Sequence, residues 1–268
     1  MSRIVLNEEL QTDYERLFSA CDIRAERMAE VDVLAEGLLA DRDRYRLASE
    51  QIGVPWFVVA VLHYADTACD FGVHLHNGDP LTGRTRHLPD GRPLRGEPPF
   101  AWEDSTVDAL CLHHLDQWGD WSIAGTLFKL ESHGGWGYRL HHPDVLSPYL
   151  WNYSTYYSQG KYVADDTWQE TAIAQRCGVA VLLRRLAERG LIEFTGTSER
   201  AVWPLHKNGN FALGGSVAAI FEYPARDLRE SGRFGRTSNL RGIPQIDRAL
   251  SAGRPARLRG CTKAAIPR

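Results

Sequence analysis

The residues with the clearest chemical potential lie at positions 63–85, in the stretch HYADTACDFGVHLHNGDPLTGRT. Three aspartates, Asp66, Asp70 and Asp79, occur in it after the apolar run GVPWFVVAVL. A carboxylate at the end of so apolar an element indicates a cleft, because a buried carboxylate without a partner is costly. A pair of carboxylates is also what acid–base cleavage of a glycosidic bond requires. This stretch is therefore interpreted as the floor of a polysaccharide-binding cleft.

Helical patterns on both sides of the stretch predict how it is held. In MAEVDVLAEGLLADRDRYRL the apolar residues recur at intervals of three and four, which is the stripe of an amphipathic helix. GVPWFVVAVLHYAD is apolar nearly all round, and Pro55 suits a first helical turn. This segment is predicted to be a buried helix that ends close to Asp66. Further helices are predicted in AWEDSTVDALCLHHLD, WSIAGTLFKLESH and TWQETAIAQRCGVAVLLRRLAERG, the last closed by Gly190.

The fold class expected from these patterns is α+β and mainly helical. TGRTRHLPDGRPL alternates Thr and Arg around an Asp-Gly turn and predicts a small exposed β-hairpin lobe near residues 70–100. Short apolar runs in residues 191–225 predict strands or a short helix packed on a main domain of residues 1–190. Residues 226–268 carry eleven Lys or Arg against three Asp or Glu and form a basic C-terminal arm, which is expected to be solvated.

Composition limits the classes of protein to consider. The chain has 268 residues, 43% of them hydrophobic, and no apolar run as long as a membrane span. Since MSRIVLNEEL lacks the features of a signal peptide, synthesis in the cytosol is expected, with lysis or a specialised route as ways to reach a cell wall. The sequence contains no P-loop, dinucleotide-binding glycine motif or serine nucleophile elbow. Neither a nucleic acid nor a membrane is an expected partner.

A buried helix that delivers a carboxylate, followed by a Gly-rich hairpin with Asp79 and Thr85, resembles the catalytic region of the lysozyme-like superfamily. That superfamily includes phage lysozymes, lytic transglycosylases and chitosanases. The resemblance covers mainly residues 52–100, and the later KLESHGGWGYR is similar to Gly- and Tyr-bearing cleft segments of these families. It implies a lysozyme-like domain and a glycoside hydrolase that cleaves a bacterial polysaccharide, with peptidoglycan-type β-1,4 linkages favoured and no cofactor.

The resemblance also implies roles for individual carboxylates. Asp66 would protonate the glycosidic oxygen, while Asp79 would orient a water with help from Thr82 or Thr85. The superfamily's proton donor is nearly always Glu, whereas aspartic acid is shorter and intrinsically more acidic, so Asp66 needs more burial to stay protonated. Glu131 is the alternative acid. Asp79 in NGDP suits a turn equally well, since Asp side chains cap turn amides.

Substrate-binding residues are expected on the hairpin and on an aromatic loop. Trp136 and Tyr138 lie among glycines and could present flat faces to sugar rings. Arg84 and Arg86 alternate on one predicted strand and suit the carboxylates of peptidoglycan. Further polar candidates in the same stretch are His74, His76, Asn77, Thr82 and Thr85.

Two other functions remain open from the sequence. His74 and His76 point to one side of an extended segment, and with Asp79 or His63 they could bind zinc and leave a position for water. The missing Glu and the basic arm would also fit a noncatalytic glycan-binding module. The sequence does not select one glycan, nor hydrolysis over transglycosylation.

Overall fold

The structure, a computed structural model, describes residues 4–164 and 166–196, and this part of the chain is mainly helical. Its helices are α1 Glu8–Ser19, α2 Met28–Ala40, α3 Arg42–Ile52, α4 Trp56–Thr67, α5 Trp102–Leu112, α6 Ile123–Gly134, α7 Gly137–His141, α8 Pro148–Trp151 and α9 Val179–Glu188, with a 3-10 turn at Ala25–Arg27. One antiparallel sheet pairs β1 Lys161–Ala164 with β2 Thr167–Gln169. A mainly helical fold with a small sheet is thereby confirmed.

Helix α4 lies at the centre of the core. All residues from Phe57 to Ala65 are buried, and the helix packs against α3 and α9. Burying each aliphatic side chain contributes about 1.5–3 kcal/mol, so this apolar run anchors the fold. Pro55 caps the start, and Ala68 ends the helix in a left-handed conformation with φ of 52°. The predicted buried helix is confirmed, and Asp66 lies in its last turn.

The outer helices bury one side against this core. Helix α1 packs on α6, α2 on α9, and α3 on α5 as well as on α4. The segment predicted from its apolar stripe to be one long helix forms two helices, because the chain turns at Asp41 between α2 and α3. Gly190 follows α9 with φ of +66°, which confirms its place beyond the helix end.

The prediction of a helix throughout residues 167–190 is wrong in its first half. Thr167–Gln169 forms β2, and α9 begins only after Gly178. A Cβ atom at Gly178 would lie 2.2 Å from the carbonyl oxygen of Leu150, so the chain passes directly against α8 at this point. The Gly178 amide also donates to Asn152, which fixes the backbone ahead of the helix.

The hairpin predicted near residues 70–100 is also wrong. This segment, the 70–100 loop, consists of turns and coil, with one isolated bridge between Val73 and Pro80. Proline has no backbone N–H to donate to a strand ladder. The loop contains Pro80, Pro89, Pro93, Pro98 and Pro99. In a hairpin, amides of a second strand would donate hydrogen bonds to the carbonyl oxygens of the first. Here side chains donate to carbonyl oxygens of the loop instead.

The predicted strands or helix of residues 191–225 and the basic arm of residues 226–268 fall largely or wholly outside the described residues. Within the described part, residues 191–196 follow α9 without regular structure, and Phe194 packs edge-on against Phe18 and Phe57. No helix in residues 4–164 or 166–196 has the length and apolar character that a bilayer crossing requires.

Buried His63 is expected to make the fold sensitive to mild acid. Burial lowers its pKa to about 4, from an ordinary value near 6.5. Above pH 6.5 the imidazole is neutral in both states and full stability is present. As the pH falls from about 6.5 towards about 4, only the unfolded chain takes up this proton, so stability is lost. Between pH 7 and pH 5 the loss from His63 is about 2 kcal/mol.

Urea denaturation at pH 7 and pH 5 measures this loss. In His63→Phe the fall in unfolding free energy should be smaller than in the wild type by about 2 kcal/mol. His114→Asn, at an exposed imidazole, serves as the control and should keep the wild-type pH dependence. If His63→Phe kept the pH dependence of the wild type, the loss of stability could not be attributed to His63.

Candidate functional site

A cavity of about 370 Å³ opens where α4 and α6 end, and it is called the α4–α6 cavity below. Asp66 and His133, each in the last turn of its helix, line it. Its walls come from α7, α8, strand β1 and the segment before α9. The volume falls in the range of about 300–1,000 Å³ that is usual for ligand pockets. The buried apolar helix therefore delivers Asp66 to a cavity, as its sequence predicted.

Asp66 and His133 form a hydrogen-bonded pair. Oδ2 of Asp66 lies 2.8 Å from Nε2 of His133, and the two side chains are 15% and 8% exposed. Because an ionised carboxylate only accepts hydrogen bonds, Nε2 carries the proton whenever Asp66 is ionised. Nδ1 of His133 is buried and has no hydrogen-bond partner within the described ranges. The imidazole therefore fixes the orientation of the Asp66 carboxyl group at the cavity.

Tyrosine rings line much of the cavity wall. Tyr138 and Tyr162 meet edge to face with centroids 5.4 Å apart, and both line the cavity together with Tyr64 and Tyr149. Trp168 lies behind them, 5.3 Å from Tyr162. The wall thus presents flat apolar faces alongside phenol hydroxyls.

The glycines around Trp136 and Tyr138 leave room for protein rings. A Cβ at Gly134 would lie 2.6 Å from the ring of Tyr149, and one at Gly137 would lie 3.2 Å from that of Tyr162. Tyr138 lines the cavity, but Trp136 does not; it packs 5.2 Å from Phe128. Of the two aromatic residues predicted to bind a sugar ring, only Tyr138 therefore lies at the cavity.

Asp79 lies in a turn of the 70–100 loop and does not line the cavity. Its Oδ2 accepts hydrogen bonds from the amides of Arg86 and His87 at 2.7 and 3.0 Å, and from Asn77 Nδ2 at 3.1 Å. Its Oδ1 lies 2.6 Å from His87 Nδ1. Partial burial opposes ionisation, but the hydrogen bonds from the His87 and Arg86 amides and from the His87 side chain together outweigh it and lower the pKa of Asp79. Both carboxylate oxygens thus serve to close the turn.

The other candidates on the 70–100 loop mostly hold the loop together. The guanidinium of Arg84 donates to the carbonyl oxygens of Pro93 and Gly96, and Oγ1 of the buried Thr85 donates to that of Pro89. Asn77 bonds Asp79 and the carbonyl oxygen of His87. The candidates Thr82 and Arg86 are exposed on the loop surface. None of these candidates lines the α4–α6 cavity.

His74 and His76 tie the loop to α5. His74 lies 2.6 Å from Ser105 Oγ and 2.7 Å from the carbonyl oxygen of Gly83, so both of its ring nitrogens are engaged. Nε2 of His76 lies 2.9 Å from Asp108. In the part of the chain that the structure describes, no three His, Cys, Asp or Glu side chains are grouped to hold a metal ion. The proposed zinc site at this histidine pair is therefore not formed by these residues.

Glu131, the alternative acid, is buried away from the cavity. It accepts a hydrogen bond from the hydroxyl of Tyr14 on α1 and one of 2.9 Å from Nη2 of Arg139 on α7. Burial raises the pKa of Tyr14, and the neighbouring Glu131 carboxylate raises it further. The carboxylate therefore connects three helices. His133, two residues further along α6, lines the cavity instead.

Several polar residues that line the cavity were not among the sequence candidates: His133, His141, Lys161, Asp166, Gln175 and Arg176. His133 had a weak signal, because it stands in the last helical turn before Gly134 and Gly135. Lys161 and Arg176 lie in segments with no recognisable motif, and only the fold brings them to the cavity.

Comparisons of the chain with protein families, with curated proteins and with solved structures give no match. The chemistry of the site must therefore be inferred from the side chains that line it. These supply a carboxylate–imidazole pair, a second carboxylate at Asp166, phenol rings and the two cationic side chains of Lys161 and Arg176.

Proposed function

We propose that the protein is a glycoside hydrolase that binds a bacterial polysaccharide in the α4–α6 cavity, with peptidoglycan-type β-1,4 linkages favoured. The observation that carries the proposal is the hydrogen-bonded pair of Asp66 and His133 in a cavity that is also lined by tyrosines. A titratable pair in a largely apolar cavity with a few polar groups is the usual arrangement of an enzyme site.

The cavity wall suits a sugar ring. Pyranose rings present C–H patches and hydroxyls together, so they bind where flat aromatic faces adjoin hydrogen-bonding groups. Tyr138 and Tyr162 supply such faces, and Asp66 and Gln175 supply polar groups in the same cavity. These features support a saccharide over a purely apolar ligand.

In the proposed reaction, Asp66 is the general acid. It delivers a proton to the glycosidic oxygen as the bond to the sugar breaks, and Nε2–H of His133 stabilises the carboxylate that remains. Asp166, which also lines the cavity, takes the role that the sequence suggested for Asp79: it orients the water that adds to the sugar carbon and accepts a proton from that water. In this scheme Asp79 and Glu131 have structural roles.

A noncatalytic glycan-binding module is the second candidate. It is favoured by the engagement of Asp79 and Glu131 in hydrogen bonds outside the cavity, which removes both of the further carboxylates that the sequence offered for catalysis. A binding module would use the same aromatic wall without turnover.

A glycan panel tests the proposal and separates these two functions. Peptidoglycan, chitin, chitosan and β-glucans are incubated with the protein, and both the release of reducing ends and the amount of bound protein are measured. Release from at least one glycan supports the hydrolase, and binding without release supports the binding module. A protein that neither binds nor cleaves any of them would contradict both.

A further inference from the structure

Two cationic side chains line the α4–α6 cavity, one from strand β1 and one from the segment before α9. Lys161 is the first residue of β1 and is only 9% exposed. Arg176 precedes α9, and its Nη1 donates a hydrogen bond of 2.7 Å to the carbonyl oxygen of Ala65, next to Asp66. The cavity thus combines the Asp66–His133 pair and the carboxylate of Asp166 with the two cationic side chains of Lys161 and Arg176.

The burial of Lys161 gives its ammonium group a strong influence on what the cavity accepts. Charges interact more strongly where water is excluded, so a cation in a cavity wall favours a ligand with a negative charge. Asp66 has His133 as its own hydrogen-bond partner. The Asp66 carboxylate would repel a negatively charged ligand group placed close to it. The positive charges of Lys161 and Arg176 offset that repulsion.

We propose that Lys161 is a specificity-determining residue of this cavity and that the preferred ligand is an acidic sugar whose carboxylate contacts its ammonium group. The inference rests on the proposed function, because it assumes that the cavity holds a saccharide. It places the recognition of the ligand carboxylate on strand β1 rather than on Arg84 of the 70–100 loop, which does not line the cavity.

The shared chemistry of the ligand is a carboxylate on a pyranose ring, and two sources supply it. One is the lactyl ether of N-acetylmuramic acid, and the other is a uronic acid. The test therefore uses one matched pair of sugars for each source. The disaccharide of N-acetylglucosamine and N-acetylmuramic acid is compared with chitobiose, and β-1,4-linked glucuronate oligomers are compared with glucose oligomers of the same linkage.

Isothermal titration of each sugar into the full-length protein, at low and high salt, measures the preference. We expect the acidic member of at least one pair to bind at least about tenfold more tightly than its neutral partner, with weaker binding at high salt. Lys161→Met should weaken binding of that acidic sugar by about tenfold or more and reduce its salt dependence, while neutral sugars change little. Lys161→Arg keeps the charge and should retain the preference.

Lys129→Met is the matched control, because it removes the same charge from α6 at a residue that lies over Trp118 and does not line the cavity. It should bind like the wild type, and thermal unfolding of each variant verifies that it is folded. Equal binding of acidic and neutral sugars, or no effect of Lys161→Met in a folded protein, would overturn this inference and leave the proposed function standing. If none of the four sugars binds but the glycan panel shows binding or release, this inference alone is overturned; no binding in either test overturns both.

Discussion

Replacing Asp66 with Asn is expected to lower the rate of glycan cleavage by about a hundredfold or more and to leave the unfolding free energy nearly unchanged. Asn has the same shape, and its side-chain oxygen can still accept the hydrogen bond from Nε2 of His133. It cannot deliver a proton to the glycosidic oxygen. Initial rates of reducing-end release, with urea denaturation of the same samples, measure both quantities.

Asp79→Asn is the matched control for that prediction. Asp79 lies outside the cavity and closes a turn with both carboxylate oxygens, so this change should lower stability and preserve the rate per folded molecule. Full activity in Asp66→Asn, or a hundredfold loss in a stably folded Asp79→Asn, would contradict the proposed roles and return the chemistry to the 70–100 loop.

Replacing Glu131 with Ala is expected to lower the unfolding free energy by about 3–5 kcal/mol, the largest stability effect foreseen for one residue here. The change removes the carboxylate that accepts hydrogen bonds from Arg139 and from the buried hydroxyl of Tyr14, and it leaves Arg139 with the more distant carboxylate of Asp13 at 3.9 Å. It also removes the connection among α1, α6 and α7. Urea denaturation at pH 7 measures the loss, and Glu9→Ala, at an exposed carboxylate on α1, should change stability by less than about 0.5 kcal/mol.

A double-mutant cycle distinguishes the loss of the hydrogen bond between Tyr14 and Glu131 from the loss of packing that a smaller side chain causes. Tyr14→Phe and Glu131→Gln should each destabilise, and the double variant should lose less than the sum of the two changes, because they break one shared hydrogen bond. Full additivity, or a stable Glu131→Ala protein that has lost cleavage activity, would instead favour Glu131 as the catalytic acid.

The sequence predicted the elements whose hydrophobic pattern is strong. The apolar run of α4 identified a buried helix and placed Asp66 at its end, because so continuous a run could only be buried. The 70–100 loop was mistaken for a hairpin because its Thr and Arg residues alternate as strand residues do. Its structure is decided by prolines that cannot join a ladder and by side chains such as Arg84 that bind backbone carbonyl groups.

The site was harder to predict than the fold for a related reason. His133 pairs with Asp66 across 67 residues, and no local pattern reveals which distant residues meet. Glu131 and His133 are separated by about 200° around α6, since each helical residue turns about 100°. Helix α1 covers the side of α6 that carries Glu131, so only His133 reaches the cavity, and this packing is not visible in the local sequence. Lys161 likewise enters the cavity only because β1 passes beside it.

The position of a bound glycan tests the central claim most directly. A crystal structure of the Asp66→Asn protein, soaked with the glycan that binds most tightly, would locate it without turnover. We predict a sugar ring in the α4–α6 cavity, against Tyr138 or Tyr162 and within hydrogen-bond distance of residue 66. A glycan bound at the exposed Thr82 and Arg86 of the 70–100 loop, with the cavity empty, would contradict it.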